Sequence, residues 1–100
     1  MDYEKRFARY MVRNEAGRRL EKHGLIKEAI EQYELNVSEL AEAPNAYIQL
    51  RILYTKLKRY DDAIRICRRY LVMCESNEWP QDSGFGGWID KLEAKKRKAE

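Results

Sequence analysis

Apolar side chains recur along this chain every three or four residues, the period at which an α-helix turns one face toward a core. Phe7, Tyr10, Met11, Ala16 and Leu20 keep that period with arginines and lysines between them, which predicts a first helix from Tyr3 to about His23. Gly24 then offers the left-handed backbone that closes a helix. Ile26, Ala29, Ile30, Tyr33 and Val37 define a second helix ending near Ala41 to Pro44. Pro44 suits the first turn of a third helix, where its missing N–H is not needed. Tyr47, Leu50, Tyr54 and Leu57 form the stripe of that helix, widened by Ile48, Ile52 and Leu53. Lys58-Arg59-Tyr60 reads as the next corner, with Asp61 as N-cap of a fourth helix carrying Ala63, Ile64, Cys67, Tyr70, Leu71 and Cys74. The stretch Glu75 to Ser83 reads as a loop stopped by Pro80. A fifth helix, capped by Asp82 or Ser83, presents Phe85, Trp88, Ile89 and Leu92 before turning wholly charged at Lys95-Lys96-Arg97-Lys98.

Composition narrows the class. A chain of 100 residues is the length of one domain and can hold a modest core without staples. Its 37% charged content with only five Gly and two Pro favours solvated helices over sheet or disorder. No run approaches the roughly 18 consecutive apolar residues of a membrane span. The start, Met1-Asp2-Tyr3-Glu4-Lys5-Arg6, has no apolar secretion core, so a reducing cytoplasm is the expected compartment. Cys67 and Cys74 sit seven apart on one predicted helix, their backbones about 10 Å apart, too far for a disulfide. Both read as packing residues.

The chain also matches itself at an offset of 34 residues. Ala16 falls on Leu50, Leu20 on Tyr54, Ala29-Ile30 on Ala63-Ile64, Tyr33 on Cys67 and Val37 on Leu71. The second copy reads Tyr47-x2-Leu50-Arg51-x2-Tyr54 and then Ala63-x3-Cys67; the first reads Arg13-x2-Ala16-Gly17-x2-Leu20 and then Ala29-x3-Tyr33. This pattern resembles the tetratricopeptide repeat, a helix–turn–helix unit with small and large residues at fixed places. The strings KEAIEQY and YDDAIRICRRYL carry it best. Arg13 stands where the family has an aromatic residue, and Arg51 where it has Gly or Ala.

The resemblance implies an all-α fold: a right-handed α-solenoid of about five helices. Repeat 1 would cover about 11–43, repeat 2 about 44–75, a loop 76–83 and a capping helix 84–98, all in one domain. It further implies a concave groove lined by the first helix of each pair. Asn14, Arg18 and Lys22 would come from repeat 1, and Asn45, Ile48, Ile52 and Thr55 from repeat 2. Such a surface suits an extended peptide or a partner helix, so the expected role is a protein–protein adaptor. The lysine–asparagine set that the chaperone-tail-binding members spread over three repeats is incomplete here.

Charge leaves other readings open. From Glu21 to Glu42 the net is −4, and from Arg51 to Arg69 it is +5. The offset sets Glu31 beside Arg65 and Glu34 near Arg68 as cross-repeat ion pairs. Alternatively Lys56, Lys58, Arg59, Arg65, Arg68 and Arg69 form a docking patch for an acidic protein or, with the basic tail, for nucleic acid. A homodimer through the C-terminal end is a third reading. No nucleophile–base pair, metal-ligand cluster or phosphate loop is apparent, so no catalysis, metal or cofactor is expected. His23, the lone histidine, reads as a helix-end residue, Gly84-Phe85-Gly86-Gly87 as a helix start, and Trp79 as an exposed contact residue.

Overall fold

The computed structural model describes residues 3–80 and 83–100. They form five α-helices: α1 (Tyr3–Lys22), α2 (Ile26–Ser38), α3 (Asn45–Lys56), α4 (Tyr60–Ser76) and α5 (Ser83–Ala99), with no strand among the described residues. Each helix packs on the next in chain order, and α2 also touches α4. The Cα atoms fill a slab of 44 × 36 × 16 Å. Two helix layers at the usual interaxial spacing are about 13–15 Å deep in Cα atoms, so the slab is two layers thick.

The core follows the expected periodicity. Ala29, Ile30, Tyr33 and Val37 of α2 meet Tyr47, Leu50 and Tyr54 of α3 and Ala63, Ile64 and Cys67 of α4 in one cluster, which Leu92 joins from α5. Ala29 and Ala63, the two small residues set 34 apart, are both 0% exposed. Cys67 and Cys74 are buried free thiols. Ile66 and Met73 are also fully buried, widening the packed face of α4 beyond the predicted stripe. Phe7, Met11 and Leu57, read as stripe residues, lie exposed. Phe7 and Met11 belong to an α1 of 20 residues that is longer than its 13-residue partner α2.

Helix ends repeat more closely than side chains do. At Gly24, Leu40, Lys58 and Glu78 the backbone turns left-handed, with φ of 76°, 52°, 59° and 56°. Each residue donates its N–H back three residues, and its successor donates back five, as in Leu25 N to Leu20 O and Arg59 N to Tyr54 O, both 2.8 Å. This is the Schellman closure, which satisfies the last free carbonyls of a helix. Leu25 and Arg59, 34 apart, enter the following helix at φ/ψ of −89°/68° and −93°/70°. The α1–α2 and α3–α4 corners are thus one local structure built twice. The other pair of left-handed residues is spaced by 38, because α4 has 17 residues to the 13 of α2, about one more turn.

Some expected boundaries shift. Asp61 does not cap α4; Arg59 holds the N-cap place without a side-chain bond, and Asp61 falls in the first turn. The Schellman closure sets the entry backbone and puts the cap slot at Arg59, two residues before Asp61. Pro44 sits one residue before α3, and its carbonyl accepts the Ile48 N–H. The fourth helix continues to Ser76, past the predicted loop start. Asp82, one of the two expected caps of α5, lies outside the described residues, as does Gln81 of the expected loop.

Small and large residues exchange places between the two hairpins. In the first, Gly17 of α1 lies against the ring of Tyr33. In the second, the equivalent positions are Arg51 and Cys67. Burial pushes the Cys67 thiol up to about 11, and the nearby Arg51 charge opposes part of that rise. Where α2 brings a large ring, α1 has no side chain; where α4 has a small thiol, α3 carries a long arginine.

Candidate surface of helices α1, α3 and α5

Helical geometry puts Asn45, Ile48, Ile52 and Thr55 within about 80° of one another on α3. Asn45 is exposed and the other three are half-buried. The Thr55 hydroxyl donates to its own helix at Arg51 O, 2.6 Å, so its methyl is the part left for contact. Arg18 and Lys22 are exposed on α1, with no ion pair among the described residues. They stand 34 residues before Ile52 and Lys56, on the matching face of α1.

Asn14 is not a groove residue. It is 1% exposed, and its Oδ1 accepts from Asn36 Nδ2 at 3.0 Å. Asn36, itself fully buried, also donates to Tyr10 O at 3.0 Å and accepts from Arg13 Nη1 at 3.2 Å. Two buried amides can persist in a core only when so matched. The pair pins α1 against α2, and Arg13 completes it from the rim.

The predicted basic patch is mostly engaged by the chain itself. Arg65 meets Glu34 at 2.5 Å and Asp62 at 3.3 Å, Arg59 meets Asp62 at 2.9 Å, and Arg68 meets Glu93 at 3.1 Å. Arg69 donates to the carbonyls of Val37 and Ser38 at the C-terminal end of α2. Only Lys56 and Lys58 of the six lack such a partner among the described residues. The pairing between α2 and α4 is therefore Arg65 not with the expected Glu31 but with Glu34, one turn on. Its carboxylate also takes the Tyr54 hydroxyl at 2.5 Å. The Glu34 bond raises the Arg65 pKa further, while burial and that same carboxylate hold Tyr54 as a neutral phenol.

Sequence reasoning did not find the cluster where α3 meets α5. The Arg51 guanidinium lies 4.0 Å over the Trp88 ring and 5.8 Å from that of Phe85, and Lys91 stands 5.0 Å from Trp88. Phe85 stacks on Tyr70 at 3.9 Å, and Tyr70 meets Tyr47 edge-on at 5.4 Å. Burial lowers the pKa of Arg51, and its Nε is buried without a hydrogen-bond partner. The signal was present as an arginine at a place where the repeat pattern wants a small residue.

His23 is exposed at the end of α1, and Trp79 is exposed after α4. Among the described residues no group of three or more His, Cys, Asp or Glu could hold a metal ion, and no helix is long and apolar enough to cross a membrane. Comparison with protein-family models, with curated proteins and with solved structures finds no match to this chain.

Proposed function

We propose that this chain is a pair of tetratricopeptide-type helix hairpins closed by a C-terminal capping helix, and that it serves as a non-catalytic adaptor. The observation that carries the reading is the congruence of the two corners, with the same left-handed closure, entry dihedrals and buried alanine at an offset of 34. Repeating hairpins stack into extended surfaces, and such surfaces serve as binding faces. The guest, a peptide or partner helix, would lie on α1 and α3, touching Arg18, Lys22, Asn45, Ile48, Ile52 and the Thr55 methyl.

Affinity capture from a native cell extract, with the intact chain and an Ile52→Glu variant side by side, tests this. A partner held at about 200 mM salt by the first and lost by the second is the expected result. Phosphate-driven binding would instead fall steeply between about 50 and 200 mM salt. Nucleic acid recovered in place of protein, with that salt dependence, would overturn the adaptor reading in favour of the basic residues. The ion pairs of Arg59, Arg65 and Arg68 argue against that outcome.

A further inference from the structure

We infer that the α3–α5 junction is an acceptor for a carboxylate beside an apolar side chain, so that the guest of the proposed groove is an acidic peptide segment. This rests on the adaptor reading and adds the chemistry of the guest. Arg65 and Arg68 of α4 meet acids of the chain, Glu34 and Glu93, and Arg69 meets the carbonyls of Val37 and Ser38. Arg51 and Lys91 have no carboxylate partner among the described residues, and they stand over one indole. Asp90 is on α5 but about 200° around the helix from Trp88, so it points elsewhere.

Arg51 lies three residues after Ile48 and four before Thr55, neighbours on one helix face. Ile48 and the Thr55 methyl therefore border Arg51 directly, with Ile52 next around the helix on the groove side. A guanidinium fixed against a tryptophan has lost its rotamer freedom before any guest arrives. Less ordering cost then remains at binding. Its fork geometry suits a carboxylate held by two parallel hydrogen bonds. The apolar edge beside it takes the neighbouring aliphatic or aromatic side chain of the same segment. Nucleic acid fits less well, since Trp88 already carries a cation over its ring and offers no open base-stacking platform.

The test is selection of short random peptides displayed on phage against the whole immobilised chain. Selected peptides should carry Asp or Glu within two positions of a Leu, Ile or Phe. A synthetic copy of the best peptide should lose about tenfold in affinity on Lys91→Gln, and as much or more on Arg51→Gln. Because the Arg51 guanidinium is also packed over Trp88, Arg51→Lys serves as a second variant; it keeps the charge, and should bind between the unaltered chain and Arg51→Gln. Circular dichroism checks that each variant is folded. Peptides with no acidic preference that still need Ile52 would overturn the carboxylate site and leave the adaptor reading standing. Failure to select any peptide, or selection indifferent to Ile52→Glu, would overturn both. A single-stranded oligonucleotide competing the peptide away from Arg51 would also refute the proposal.

Discussion

Replacing Gly17 by Ala sets two effects of opposite sign against each other. In a helix interior Ala is favoured over Gly by about 0.8–1 kcal/mol. Against this, a Cβ built at Gly17 lands 2.5 Å from both Cε1 and Cζ of Tyr33 and 3.0 Å from Cε2. Ordinary contact would require the ring to retreat by about 1 Å, and interiors are packed like organic crystals. The ring is 1% exposed, and its hydroxyl is bonded to Glu21 Oε2 at 2.5 Å. Tilting away strains that charge-assisted bond, so the upper part of the overpacking range applies. Overpacking costs about 1–3 kcal/mol, and the lost phenol–carboxylate geometry adds a similar amount. After subtracting the propensity gain of about 1 kcal/mol, the expected net loss is about 2–5 kcal/mol, read as a lower urea midpoint at unchanged slope. Tyr33→Leu in the Gly17→Ala background imitates the smaller partner of the second hairpin. The double variant should therefore be more stable than the sum of the single changes by at least about 1 kcal/mol. Gly17→Ala raising stability by about 1 kcal/mol, as propensity alone demands, would refute the close-packing argument.

Two further predictions concern the backbone and pH. Lys58 and Gly24 hold the same left-handed place, and a Cβ at Gly24 meets nothing within 4 Å, so only backbone strain separates the residue types there. Lys58→Gly should stabilise by up to about 1 kcal/mol and Gly24→Lys should destabilise by about as much, measured by urea unfolding; equal stabilities would deny the strain. Tyr33, Tyr47 and Tyr54 are each held as neutral phenols above the ordinary value, chiefly by burial, with Glu21 aiding at Tyr33 and Glu34 at Tyr54. A raised folded pKa makes the contribution complete below the unfolded value near 10 and lost as pH climbs through the folded one. Cys67 acts the same way from about pH 9 upward. Stability should thus fall above about pH 10 by about 1.4 kcal/mol per pH unit for each phenol, with tyrosine ionisation in ultraviolet titration coinciding with loss of helix. Smooth ionisation of all seven tyrosines near their free value without unfolding would contradict it.

Much of the fold was legible in the residue order because helices are local. Spacing of three and four residues placed five helices, Gly24 marked the first corner, and Ala29 and Ala63 stood out as small residues 34 apart. Each of these needs only neighbours within a few turns. What the sequence could not display was the partner of each polar group. Asn14 reads as a surface amide until Asn36, 22 residues on, is folded against it. Arg65 chooses Glu34 over Glu31 only when the crossing of α2 and α4 sets the register. Asp61 lost its cap because the left-handed turn before α4 already fixed the chain's entry. Arg51 and Trp88, 37 positions apart, met only when α5 was packed on α4 and its Trp88 reached α3. Hydrophobic period writes itself into the chain, but the desolvation and pairing of polar atoms depend on distances that tertiary packing alone decides.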